Sequence, residues 1–252
     1  MKIAIIGVGR LGSVFAKAIS KNHSVILVDP SSPNLSEFAS KIGAKILDSP
    51  SKISDVDFAI ISVKPSYVGD VASKLPHSIP IISCAAGIPI SKIQSFGPKK
   101  VIRIMPNICI DVNEATIAYS LSNDTISLEK NFLSLFNSLG LCIKIDEKDL
   151  DPITAASGSG PAFIAYFAKA MIEQSISDGL SEEVAKKAVS QTLIGVGKML
   201  QSGWTSQKII ETVASPGGTT EAGLKMLSQN KTDSSIKEAL KFATSKAREL
   251  GK

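Results

Sequence analysis

Two histidines are all the imidazole this chain has, and that shortage narrows its chemistry. His23 precedes a strand-like run and His77 lies in a loop between Pro76 and Pro80; both read as surface residues. An alcohol dehydrogenase needs a group to take the hydroxyl proton, commonly His or Lys. A reaction that needs no histidine acid or base is therefore favoured. Cysteine is equally scarce. Cys84, Cys109 and Cys142 show no CxxC pair and no metal-ligand spacing, so no metal site is expected and the thiols read as free in a reducing compartment. No apolar run approaches the roughly 20 residues of a membrane span, and the first residues lack the regions of a signal peptide. Those two absences point to the cytoplasm. No basic run resembles a nucleic-acid arm, although the net charge is +5, with Lys99, Lys100 and Arg103 as the densest cluster. Such an excess suits anionic small molecules, or simply a solvated lysine-rich surface. Aromatic residues are only 5% of the chain, so its core must be mostly aliphatic.

What is present is 252 residues with 44% apolar content, enough for one large or two modest domains. Nearly continuous Ile/Val runs occur at Ile3–Ile6, Val25–Val28, Phe58–Val63, Ile79–Ser83, Val101–Ile104, Thr116–Tyr119 and Cys142–Ile145. They alternate with helix-length segments such as Leu11–Lys21 and Ser127–Ser138. This predicts an α/β domain over 1–150, a doubly wound sheet with strands buried on both faces. From about Asp149 the pattern is helical. Ala185, Val189, Leu193, Val196 and Leu200 mark one helix face, and Gly179-Leu180-Ser181 reads as a helix stop followed by a cap. Residues 151–252 are expected to form an all-helical second domain.

Gly7-Val8-Gly9-Arg10-Leu11-Gly12 follows the first strand and opens a helix. The first glycine permits the turn, the second lets backbone approach a pyrophosphate, and the third lets helix and strand pack closely. Asp29 ends the second strand, where a carboxylate accepts from ribose hydroxyls and repels a 2′-phosphate; Arg10, Ser31 and Ser32 are the counter-indication. In the second domain, Ser215-Pro216-Gly217-Gly218-Thr219-Thr220 precedes a helix. Its backbone N–H groups and hydroxyls would make a carboxylate nest, or merely a flexible helix start. Ser157-Gly158-Ser159-Gly160-Pro161 opens the first helix of the second domain and would allow close packing.

These segments, with Val63-Lys64-Pro65, Ser83-Cys84-Ala85-Ala86-Gly87, Arg103-Ile104-Met105-Pro106-Asn107 and Val213 through Thr220, resemble the pyrroline-5-carboxylate reductases in order and approximate spacing. The resemblance spans nearly the whole chain, and the last motif is the most specific. It implies NADPH- or NADH-dependent hydride transfer to the C=N bond of 1-pyrroline-5-carboxylate, giving L-proline in proline biosynthesis. It implies a Rossmann-type N-terminal domain and a C-terminal helical domain that pairs into a homodimer, sometimes assembled further. The glycine loop would hold the pyrophosphate. Val63, Lys64 and Pro65, with Ala85, Ala86 and Gly87, would line the ribose and nicotinamide side, and Asn107 would lie near the nicotinamide end. Ser215, Gly217, Gly218, Thr219 and Thr220 would bind the substrate, Thr220 orienting the ring nitrogen. The chain departs from the family at Ile108-Cys109, where Thr-Pro is usual, and at Asp29-Pro30, where NADPH users carry Asn-Arg or Ser.

Three other readings compete. A hydroxy-acid dehydrogenase would place a lysine four residues after Gly160, where Ile164 stands. A reductase of another cyclic imine, such as 1-pyrroline-2-carboxylate, would use the same nest. A non-catalytic nucleotide sensor would not need both the nest and the Arg103–Asn107 segment.

Overall fold

In the computed structural model, which describes residues 1–250, the aliphatic runs form strands that hydrogen-bond into one sheet. They are β1 (Lys2–Ile6), β2 (Ser24–Val28), β3 (Lys45–Ile46), β4 (Phe58–Ile61), β5 (Ile81–Ser83), β6 (Val101–Pro106), β7 (Ala115–Leu121) and β8 (Gly140–Lys144). Their spatial order is β3-β2-β1-β4-β5-β6-β7-β8. All neighbours are parallel except β6 and β7. The connection from Asn107 to Glu114 is too short for the crossover that a parallel return needs. β3 escaped the sequence reading because both of its residues are exposed at the sheet edge, leaving no apolar run to recognise. The run expected to reach Val63 stops at Ile61.

Alternate residues of each strand feed two cores. Ile3 and Ile5 pack with Phe15, Ala16 and Ile19 of α1 (Arg10–Ile19), and with Phe132 and Phe136 of α5 (Glu129–Phe136). Ala4 and Ile6 face the opposite way, towards Val71 and Ala72 of α3 (Val68–Lys74) and Ile93 of α4 (Ile90–Ser95). Between α1 and α3 lies α2 (Leu35–Ile42), which buries Leu35 and Ala39 on the α1 side. Each fully buried Ile contributes about 1.5–3 kcal/mol. The core is indeed mainly aliphatic, and its aromatics are concentrated. Phe15 meets Phe136 edge-on at 5.7 Å between ring centres, and Phe132 lies 4.8 Å from Phe136.

Beyond β8 the described residues contain no strand. The helices are α6 (Leu150–Ile153), α7 (Gly160–Ser177), α8 (Glu182–Gln201), α9 (Ser206–Val213), α10 (Thr219–Gln229) and α11 (Thr232–Glu249), with a π-helical turn at Thr154–Gly158. The expected stop and cap hold: Ser181 Oγ accepts the Val184 N–H, and Glu182 and Glu183 occupy the first turn of α8.

Two compact units divide the chain. One is Met1–Pro161 together with the stretch from Phe242 onward, and the other is Ala162–Lys241. Compactness thus breaks at Pro161, later than the change of pattern near residue 150, because segment 147–158 is bonded to the sheet. Within the helical unit the apolar stripe of α8 is only partly covered. Ala185 and Val189 are buried, whereas Leu193, Val196 and Leu200 on the same face are exposed. Phe163, Ile164, Tyr166 and Phe167 of α7 are exposed as well. Several large apolar side chains of α7 and α8 are thus left uncovered within the chain.

Candidate active site

The strand order reverses between β1 and β4, and ligands of open α/β sheets bind outside the carboxyl ends of the strands at such a point. There the structure gathers Gly7–Gly12 after β1, Asp29 after β2, Val63, Lys64 and Pro65 after β4, Ala85–Gly87 after β5, and Asn107 after β6. Gly7 has φ +88°, and a Cβ there would stand 2.7 Å from Val63 Cγ1. A Cβ on Gly12 would stand 1.9 Å from the Gly7 carbonyl oxygen. Ser62 Oγ donates to that same oxygen at 2.6 Å, tying β4 to the loop.

Gly9 differs: nothing lies within 4 Å of the Cβ it lacks. The protein's own packing does not demand a glycine at 9, whereas a pyrophosphate lying on the loop would. Arg10, Leu11 and Gly12 follow at the start of α1, whose first turn holds no acidic residue. Their N–H groups lack intrahelical acceptors and attract an anion. The donor set therefore fits a dinucleotide. Asp29 closes the adjoining side. Its Oδ2 accepts the Val8 N–H at 2.7 Å, and its Oδ1 accepts the Ser31 N–H at 3.1 Å and hydroxyl at 2.6 Å.

Further along the sheet, Asn107 is buried, and both polar atoms of its amide are bonded. Its Oδ1 accepts the Cys109 N–H, and its Nδ2 donates to Ser157 Oγ at 3.2 Å. A Cβ on Gly158 would meet Met105 Sδ at 3.4 Å, an ordinary contact, and one on Gly160 would meet nothing within 4 Å, so the close packing expected of Ser157–Pro161 is not required by these glycines. Arg103, grouped by sequence with Lys99 and Lys100, is no surface cation. It is buried and pairs with Glu147 at 3.2 Å and Asp151 at 3.4 Å. Desolvation pushes the half-buried Cys84 thiol above its ordinary value.

In the helical unit, Gly218 is the N-cap of α10. Two of the expected amide donors are already used: Gly217 N–H donates to Glu221 Oε2 at 2.7 Å, and Gly218 N–H to the Ser215 carbonyl at 3.0 Å. The N–H groups of Thr219 and Thr220 stand in the first turn without intrahelical acceptors. Neither threonine hydroxyl has a hydrogen-bond partner among the described residues. Thr219 is exposed and Thr220 half-buried.

Residues 147–250 match the family model described as pyrroline-5-carboxylate reductase dimerisation. Residues 2–87 match that described as NADP oxidoreductase coenzyme F420-dependent. The pyrroline-5-carboxylate reductase of Methanosarcina acetivorans is 31% identical, covering 100% of this chain and 98% of its own. That of Pisum sativum is 32% identical over 98% of this chain and 95% of its own. The chain belongs to the pyrroline-5-carboxylate reductase family. Solved structures agree with this membership. A Streptococcus pyogenes 1-pyrroline-5-carboxylate reductase superposes with a TM-score of 0.91 at 30% identity, covering 99% of this chain and 98% of its own. A Plasmodium falciparum pyrroline carboxylate reductase with NADP bound gives 0.90 at 28% identity, covering 100% of this chain and 98% of its own.

Sequence reading found the loops of this family member but missed the residues that brace them. Ser62, Glu147 and Asp151 carry no local signal, because each acts through a contact made only by the fold, whereas Glu221 stands three residues after the N-cap Gly218, a capping position the sequence does show. Arg103 lies in the Arg103–Asn107 segment, where the sequence assigns it no role of its own. As expected, neither histidine enters these loops: His23 meets the Met1 amino group and His77 is exposed.

Proposed function

We propose that this chain reduces the C=N bond of 1-pyrroline-5-carboxylate, giving L-proline, with NADPH or NADH as the hydride source. The observation that carries the reading is the donor set at the start of α10 on a chain that also holds a dinucleotide cradle. The α10 donors are amides and hydroxyls, suited to a carboxylate and a ring nitrogen. None of them is a strong acid or base. A protonated imine already bears its proton and charge, so the protein's task is positioning.

Gly7–Gly12 would hold the pyrophosphate on the open N–H groups of α1, with the residues after β4 and β5 beside the ribose and nicotinamide. Bound dinucleotide supplies the hydride. The Thr219 and Thr220 amides would hold the substrate carboxylate, and the Thr220 hydroxyl would orient the ring nitrogen so that one ring face meets the donor. Residues 1–150 would thus serve as the dinucleotide-binding domain and 151–252 as the substrate-binding and dimerisation domain. The partly uncovered stripes of α7 and α8, within the segment matching a dimerisation model, support a homodimer. No helix among the described residues is long and apolar enough to cross a membrane, and a cytoplasmic enzyme is the matching location.

The test is oxidation of NADH and of NADPH by the purified chain with 1-pyrroline-5-carboxylate, and in parallel with 1-pyrroline-2-carboxylate. Turnover confined to the second imine, or absent with both, would refute the reading.

A further inference from the structure

We infer that Asp29 makes this protein discriminate in favour of NADH, because its carboxylate is fixed where the 2′-phosphate of NADPH would lie. The inference rests on the reading of the chain as an NAD(P)H-dependent reductase and adds the choice between the two dinucleotides.

Asp29 directly follows Val28, which pairs with Ile6 at the end of β1 beside the glycine loop. In open α/β sheets this position faces the adenosine ribose. An acidic residue on a mobile turn could swing aside for a phosphate, but Asp29 cannot. The glycine loop holds one oxygen through Val8, and the turn after β2 holds the other through the amide and hydroxyl of Ser31. Moving the carboxylate would break all three bonds. A carboxylate has about four lone-pair sites, and these bonds leave one to accept from a ribose 2′-hydroxyl. A 2′-phosphate offers only acceptor oxygens and negative charge, so it meets repulsion from Asp29, with the Ser32 hydroxyl as the one side-chain donor of this turn not bonded to Asp29. The same geometry disposes of Ser31 as a phosphate ligand, since its hydroxyl and amide both point at Asp29. Arg10 is exposed at the first residue of α1, on the helix end that faces the pyrophosphate common to both dinucleotides.

The experiment titrates the full chain with NADH and with NADPH by fluorescence, then measures kcat/KM for each with the cyclic imine. NADH is expected to bind about tenfold tighter or better. Asp29→Asn keeps an acceptor for Val8 and removes the charge; it should narrow that ratio severalfold, chiefly by improving NADPH. Asp29→Ser should invert it. A readout free of variants is competition on the unaltered chain, where AMP should displace NADH better than adenosine 2′,5′-bisphosphate does. Equal or tighter binding of NADPH by the unaltered chain, or variants that shift both dinucleotides alike, would overturn the inference. NADH preference without turnover of any cyclic imine would uphold it while refuting the reductase reading. Turnover with NADPH preferred would do the reverse, and binding of neither dinucleotide would refute both.

Discussion

Glu147 Oε1 receives two donors at once, Arg103 Nη1 at 3.2 Å and the Ile90 N–H at 2.6 Å. One carboxylate oxygen thus joins β6, the start of α4 and the segment that leads into the second domain. Arg103 also donates to Asp151, while its Nε has no partner. Removing one member of a buried ion pair costs about 3–5 kcal/mol. Here the Glu147 and Asp151 side chains keep 33% and 23% of their exposure, so water can partly replace the guanidinium. Arg103→Met should therefore cost about 3 kcal/mol, at the low end of that range. Glu147→Gln, which keeps an acceptor for Ile90, should cost about 1 kcal/mol. Urea unfolding midpoints at constant slope would measure both, and equal costs would refute the shared role of Glu147.

Gly9 and Gly12 belong to one motif but should fail differently. In Gly12→Ala the new methyl would press on the Gly7 carbonyl oxygen, a backbone atom that cannot move without breaking the turn. The variant should lose at least about 2 kcal/mol, as overpacking does, and its nucleotide affinity with it. Gly9→Ala has open space, so its stability should stay within about 1 kcal/mol of the parent. Its dinucleotide affinity should still fall about tenfold or more, because the methyl would enter the pyrophosphate's place. Thermal melts beside binding titrations would separate the two.

The sheet was legible because strands buried on both faces must be nearly continuous in Ile, Val and Ala, as Ile3–Ile6 and Phe58–Ile61 are. The glycine loop was legible because backbone geometry restricts residue type at each step. Lys45–Ile46 was not, since a two-residue exposed edge strand buries nothing that could write a pattern. The bracing of the candidate site was hidden for another reason. Arg103 finds Asp151 across 48 positions, and Asn107 finds Ser157 across 50. Such separations leave no periodicity to read, and Arg103 among nearby lysines looks like one more surface cation until the fold buries it.

Tyr119 and Glu129 should set two edges of the pH range of stability. Tyr119 donates to Glu129 Oε1 at 2.8 Å, and Lys144 donates to Oε2 at 3.0 Å. The Tyr119 and Lys144 bonds hold the Glu129 carboxyl below its ordinary 4.5. Its contribution is therefore present above that value and lost as pH falls through the lowered one. Burial, with the bond to Glu129, pushes the Tyr119 phenol above its ordinary 10.0. That contribution is complete below pH 10 and declines as pH rises further. Tyr119→Phe should cost about 1 kcal/mol at neutral pH and flatten both edges. Unfolding followed from acid to alkali would show it, and unchanged slopes at both ends would refute the pairing.

The Glu221 carboxylate already occupies one amide of the nest proposed for a substrate carboxylate. By accepting the Gly217 N–H it fixes the turn before α10, much as a glutamate at this helix position reaches back in a capping box. It also places a negative charge one turn from the site of an anionic ligand, a position the helix dipole favours but the ligand does not. Glu221→Gln retains an acceptor for Gly217 and removes the charge, so KM for the imino acid should fall about threefold with kcat nearly unchanged. Thr220→Ala should do the opposite, lowering kcat about tenfold or more by loosening the ring nitrogen, with dinucleotide affinity unaltered. Steady-state kinetics on the two variants would separate a charge that opposes substrate binding from a hydroxyl that orients the reacting bond. If Thr220→Ala raised KM alone, the hydroxyl would be a binding contact with no part in orientation.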